Sequence, residues 1–235
     1  MSVRIRRVTT TRAGGVSKPP FDSFNLGDHV GDDPKAVAAN RARLAAAVGL
    51  PDRRLVWMQQ VHGVQVEVVD GPRDTAVADS DGVVTATPGL ALVVLTADCV
   101  PVLLADARAG VVGAVHAGRV GAQRGVVARA VEAMQGLGAH PGDISALLGP
   151  AASGARYEVP AAMADEVEAT LPGSRTTTAA GTAGLDLRAG IACQLRALGV
   201  TSIEVDPRCT IADQTLFSHR RGAPTGRLAS LVWME

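Results

Sequence analysis

An excess of either charge is missing from this chain: 23 Lys and Arg are matched by 23 Asp and Glu, a formal net charge of +0. The basic residues are scattered, with no stripe interleaved with aromatics, so the electrostatic footprint of a nucleic-acid binder is absent and a small-molecule substrate is expected. Long hydrophobic runs are missing too. No stretch approaches the roughly 20 apolar residues that cross a bilayer, and the opening MSVRIRRVTTTRAGG carries charges but no apolar signal core. The expectation is a cytoplasmic protein that makes no use of a membrane. Cysteine is scarce as well: Cys99, Cys193 and Cys209 are odd in number and form no CxxC pair, which argues against both a disulfide framework and a zinc finger.

What is present is the material of an ordinary globular core, 47% hydrophobic and 20% charged over 235 residues. A chain of this size can fold without a structural metal, so any metal would serve chemistry. Leu90–Thr96, Val102–Ala105 and Val111–Val115 are short apolar runs bounded by Gly, Pro and Asp, as strands buried on both faces should be. Pro34–Val48 reads as a helix, with Asp32 or Asp33 as N-cap, Pro34 in the first turn and Gly49 past the end. Val120–Gln135 and Leu185–Leu198 read as two more. Strands outnumber helices and several follow one another directly, which predicts an α/β fold with mixed sheets and hairpins. Residues 173–184 (GSRTTTAAGTAG) read as a mobile surface loop, too short to divide domains, so residues 1–235 are expected to form a single domain.

Chemistry is sought among five histidines and three cysteines. Gln60 and His62, two apart in WMQQVHG, would share one face of an extended strand. Cys99 follows the buried run LALVVLT in TADCVP, where Pro101 would interrupt the ladder, and His116 ends the run VVGAV before a glycine-flanked turn. Strand ends of this kind are where α/β sheets place ligands and catalytic groups. Two imidazoles and one thiolate could hold one tetrahedral ion with an open position, with Asp98 orienting a ligand or exchanging a proton. Each residue also has an ordinary reading: a lone cysteine after a strand is usually a small hydrophobe, and a lone histidine is usually hydrogen-bonded in place.

Eight segments, in order, carry a resemblance. They are TTRAGGVS (10–17), FNLGDHVGDDP (24–34), WMQQVHG (57–63), LTADCVPVLLAD (95–106), VHAG (115–118), YEV (157–159), LDLR (185–188) and TGR (225–227). Together they resemble the YfiH-like family, also known as polyphenol oxidase or laccase-domain proteins, whose members are described as purine nucleoside phosphorylases with adenosine deaminase and methylthioadenosine phosphorylase activity. The resemblance implies a four-layer α/β/β/α domain and a zinc or copper site on His62, Cys99 and His116. It also implies a nucleoside and phosphate as substrates, and Arg12, Ser17 and Asn25 beside Gln60 as substrate-binding residues. In that setting Arg12, with Gly14 and Gly15, could offer a fork and backbone N–H groups to phosphate. Two departures stand out. The family's HAGWRG is HAGRVG here, with Arg119 and Val120 at the changed positions, and the cysteine that many relatives carry before YEV is missing.

The histidine count bears on the family's older label, since a coupled trinuclear copper cluster needs far more than the two histidines left after one blue-copper-like set. Purine nucleoside phosphorolysis with adenosine deamination is the leading expectation. A metal-free Cys/His hydrolase, acting as a peptidoglycan-precursor editing amidase with Cys99 as nucleophile, is the alternative. A non-enzymatic binding module is the third. His29 and His219 are expected to be supporting residues, His140 to be solvated, and Cys193 and Cys209 to be packing residues.

Overall fold

The computed structural model describes residues 3–235. Two sheets stack face to face. In the first, β1 (Ile5–Thr9), β12 (Leu228–Met234), β5 (Ala91–Thr96) and β2 (Leu55–Val56) lie in the order β1-β12-β5-β2, antiparallel except for β2 beside β5. In the second, β3 (Val66–Val68), β4 (Gly82–Thr85), β6 (Val100–Asp106), β7 (Val111–Ala117), β8 (Ser145–Leu148) and β11 (Ser202–Val205) run in the order β11-β8-β6-β7-β4-β3. The outer pairs β11–β8 and β4–β3 are parallel and the rest antiparallel, so both sheets are mixed as expected.

The two-residue period of a strand sorts the layers. Leu92 and Val94 of β5 pack with Leu103, Ala105, Val112 and Ala114 between the sheets. Ala91, Val93 and Leu95 instead face Leu44 and Ala45 of helix α1 (Pro34–Val48). On the far side, Val111 and Val115 of β7 and Val102 and Leu104 of β6 pack beneath helices α3 (Val126–Gly136) and α5 (Leu187–Ala197). The result is the α/β/β/α layering. Both β5 and β7 are buried along their whole length, as their unbroken apolar runs require.

Helix α1 has the expected ends: Asp33 accepts from the Lys35 N–H, and Gly49, at φ 73°, closes it through Ala45 and Ala46. The expected helix Val120–Gln135 is two helices, α2 (Arg119–Gln123) and α3, because Gly125 sits at φ 84° in the left-handed region and breaks the ladder. A Cβ at Gly125 would meet no atom closer than 3.9 Å, so strain alone opposes one. Gly125→Ala should therefore destabilise the protein by roughly 1–2 kcal/mol in a urea titration. An unchanged midpoint would show that the junction adapts freely.

Residues 173–184 are not a structureless loop. Strands β9 (Arg175–Thr177) and β10 (Ala183–Leu185) pair antiparallel there, since the threonine run favours extended backbone and Gly181, at φ 79°, supplies the turn. Glu168, on the unforeseen helix α4 (Ala161–Thr170), accepts from the Gly173 and Arg175 N–H groups and anchors the hairpin. Because β10 takes Leu185, α5 starts two residues later than expected, with Asp186 as its cap. Pro101 does not interrupt β6. It lies one residue before pairing with β8 begins at Val102, where a missing N–H is tolerated.

Candidate metal centre

Alternation along β6 and β7 places the site. Even-numbered β7 residues face the space between the sheets, so His116, one residue from the strand's end, points into the mouth of that space. Cys99, just before β6, arrives on the same side, and Pro101 pairs with His116 in the register. His62 comes from the connection after β2. The Cys99 Sγ lies 3.8 Å from His62 Nε2, the two imidazole centroids are 4.7 Å apart, and the donor atoms of all three residues lie within 4.8 Å of one another. Tetrahedral zinc with one sulfur and two nitrogens would hold sulfur and nitrogen about 3.6 Å apart. The donor set fits a metal.

Asp81, between β3 and β4, organises the cluster and was not anticipated. Its fully buried carboxylate bonds His116 Nδ1 at 2.7 Å, which leaves Nε2 directed at the site. The same carboxylate accepts the backbone N–H groups of Val61, His62 and Gly63 at 3.1, 3.0 and 2.6 Å. Those bonds hold His62 at φ 59°, a left-handed conformation rare for a side-chain-bearing residue. Gln60 and His62 therefore do not share the face of an extended strand. Asp98, at φ 99°, is a second such residue, and strain of this kind concentrates at functional sites. Gly118 is a further requirement: a Cβ there would fall 2.7 Å from His62 Cδ2 and 3.2 Å from Cys99 Sγ.

Electrostatics couple the thiol to an imidazole. Burial pushes the Cys99 pKa up, but the charge of His116 and hydrogen bonds from both histidines outweigh it and hold the thiol at about 6. Burial likewise lowers the His116 pKa, while Cys99 and Asp81 raise it to about 9. The depressed thiol favours the fold above its unfolded pKa and loses that contribution as pH falls through about 6. The raised imidazole favours the fold below its unfolded pKa and loses that contribution as pH rises through about 9. The thiolate–imidazolium pair is complete between those limits. In metal-free protein, iodoacetamide should therefore label Cys99 with a midpoint near pH 6. A midpoint near the roughly 8.5 of an unperturbed thiol, read by peptide mass spectrometry, would contradict the pairing.

The three residues sit in a cavity of about 290 Å³, also lined by Gln60, Asp98, Tyr157 and three arginines. The Gln60 amide is largely committed to β5, donating to the Leu95 carbonyl and accepting the Leu95 N–H, each at 2.8 Å. Asp98 accepts from Thr210 Oγ1 at 2.6 Å and from the Arg220 N–H at 2.7 Å. The remaining three substrate-binding candidates lie elsewhere. Arg12 pairs with Asp22 at 3.0 Å and lies over the Phe217 ring. Ser17 is buried against Asn40, and Gly15 and Val16 spend their N–H groups on Ser23 and Asn40. Asn25 is buried in a clamp on Gly27 and the Arg227 N–H. None of these three lines the cavity. His29 and His219 do line it, and Cys193 is exposed rather than packed.

No helix is long and apolar enough to cross a membrane among the described residues. Comparison with known proteins gives a consistent picture. A Mycobacterium tuberculosis protein named purine nucleoside phosphorylase is 80% identical over 235 residues, covering 100% of this chain and 94% of its own length. One of the same name from Corynebacterium glutamicum is 59% identical over 232 residues, covering 98% and 94%. Among solved structures, YlmD from Geobacillus stearothermophilus superposes with a TM-score of 0.92 at 37% identity over 98% of this chain and 92% of that one. Bacillus licheniformis YfiH does so with 0.91 at 33%, over 98% and 93%. The model of the family described as multi-copper polyphenol oxidoreductase laccase matches residues 6–235, and this chain belongs to that family.

Proposed function

We propose that the protein is a metal-dependent purine nucleoside phosphorylase, acting on adenosine, inosine, guanosine and methylthioadenosine, that also deaminates adenosine. The observation that carries this reading is the convergence of His62, Cys99 and His116 within 4.8 Å in a cavity large enough for a nucleoside. The relatives' shared name supports it. Zinc is the metal that best matches one thiolate and two imidazoles, with copper second. When bound it would supply Lewis-acid polarisation.

The chain's own residues supply the rest. His62 and His116 are held by Asp81, and Cys99 offers its thiolate at neutral pH, so the donors are organised in advance. In phosphorolysis a phosphate oxygen bonds to the ribose C1′ while the glycosidic C–N bond breaks, its electron pair leaving on the purine, which gains a proton. In deamination a water oxygen bonds to C6 of adenine and ammonia leaves. Asp98, on the cavity wall, is our candidate for the group that moves the proton in either reaction. One centre of three donors is the single His/Cys/Asp/Glu group suited to a metal among the described residues.

Adenosine incubated with the metal-loaded enzyme tests this directly. Adenine and ribose 1-phosphate should form only with phosphate, and inosine should form without it. Neither product, at any metal loading, would reject the proposal. The low-pKa thiol beside His116 favours one second reading, a metal-free Cys/His hydrolase that edits a peptidoglycan precursor. That reading requires release of serine from the muramoyl precursor to persist in the presence of a chelator.

A further inference from the structure

Three arginines line the cavity, and in all three Nε and Nη2 meet no acceptor among the described residues. Arg119 Nη1 donates to Gln123 Oε1 at 3.1 Å. The Arg220 guanidinium lies 4.9 Å from the Tyr157 ring centre and donates to the Glu158 carbonyl at 3.3 Å. Arg227 differs from both in its setting: it is partly buried and its backbone is clamped by Asn25 and Leu26, whereas Arg220 is exposed and Arg119 sits on the five-residue helix α2. Arg227 Nη1 donates to the adjacent Thr225 and Gly226 carbonyls at 3.0 and 3.2 Å. It has no carboxylate partner there either. The charges that act on it are those of Cys99 and Asp98, in the cavity itself.

The mount of Arg227 is rigid. Its N–H donates to Asn25 Oδ1 at 2.8 Å, and its carbonyl accepts from the Leu26 N–H at 3.2 Å. Asn25 is fully buried, and its amide also binds both polar groups of Gly27 and one carboxylate oxygen of Asp32. A Cβ at Gly27 would lie 2.7 Å from Arg227 Cγ, so the glycine lets the arginine stem pack against the backbone. A partly buried guanidinium with two free donor nitrogens, held still beside the donor cluster, has the chemistry of a seat for a tetrahedral oxyanion.

We propose that Arg227, mounted by Asn25, is the residue that binds inorganic phosphate in the cavity. The proposal deepens the phosphorolysis reading and rests on it for the role of that phosphate. It also gives Asn25 a positioning role in place of direct contact with substrate.

Titration of inorganic phosphate into the metal-loaded protein, followed by calorimetry, is the test. Arg227→Gln should weaken binding by about tenfold or more, the loss expected for a charge-assisted pair of hydrogen bonds. Arg119→Gln and Arg220→Gln should each stay within about threefold of wild type, because Arg119 bonds Gln123 from a short helix and the exposed Arg220 lies against the Tyr157 ring, so neither is clamped in place as Arg227 is. Should Arg227→Gln fail to fold, Arg227→Lys decides: it keeps the charge but loses the fork, and its affinity should fall below that of both control variants. Wild-type affinity in whichever Arg227 variant folds, a larger loss in either control, or no saturable binding by the wild type would overturn the inference. Steady-state kinetics separate it from the function it deepens. If the wild type cleaves adenosine with phosphate and Arg227→Gln leaves the KM for phosphate unchanged, the arginine assignment fails and phosphorolysis stands. If the wild type leaves adenosine intact yet binds phosphate through Arg227, phosphorolysis fails and the oxyanion seat stands.

Discussion

Cys99→Ala should abolish metal binding and nucleoside cleavage together. Cys99 contributes the only sulfur of the donor cluster and the only anionic donor, so its removal leaves two imidazoles from a left-handed residue and a strand end. Losing a residue that merely supports a ligand costs about 10–100-fold in metal affinity, and loss of the ligand itself should exceed that. The fold should survive, because Cys99 is only partly buried and the strands beneath it close without it. Elemental analysis should find about one metal ion per chain in the wild type and near none in the variant, with adenosine cleavage lost in parallel. Activity that persists in a metal-free variant would shift the reaction away from the metal; persistence with metal retained would remove Cys99 from the site.

Asp81→Ala should have the largest effect on stability. The substitution leaves His116 buried without its partner and strips the acceptor from the N–H groups of Val61, His62 and Gly63 at once. Breaking a buried charged pair by removing one member costs about 3–5 kcal/mol. Because the same bonds hold His62 in its left-handed conformation, metal affinity should fall about 10–100-fold in any protein that folds. Asp81→Asn keeps the volume and one acceptor oxygen, so it should unfold later than the alanine variant while still losing metal. A denaturation midpoint for Asp81→Ala within about 1 kcal/mol of wild type would mean that the carboxylate organises nothing.

The apolar runs that became β5, β6 and β7 were legible because a strand buried on both faces needs no alternation, and helix α1 was legible because its caps are local. His62, Cys99 and His116 could be picked out as strand-end donors, and the ordered motifs favoured that set over the ordinary reading of each residue. Their mutual approach depends on register and layer, which spacing does not state. Asp81 stayed hidden because an aspartate in VADSDG resembles a turn residue; its partners lie 18 to 35 residues away, and three of the four are backbone N–H groups. The break at Gly125 lay in plain view as a mid-helix glycine, yet the apolar face on either side of it masked the stop.

The N-terminal candidates show a different limit. TTRAGGVS and FNLG do converge, but largely upon themselves: Asn40, in the middle of α1, gathers Val16, Ser17, Ser23 and Asn25 through its side chain. Through Asn25 that knot reaches Arg227, and Arg227 reaches the cavity. TTRAGGVS can thus be tied to the site without any of its side chains lining the cavity.

X-ray absorption on the zinc-loaded protein tests the central claim most directly, because it reads the donor atoms themselves. One sulfur at about 2.3 Å and two imidazole nitrogens at about 2.0–2.1 Å are the predicted shell, with the sulfur lost in Cys99→Ala. A shell of nitrogen and oxygen alone in the wild type, unchanged by that substitution, would contradict it.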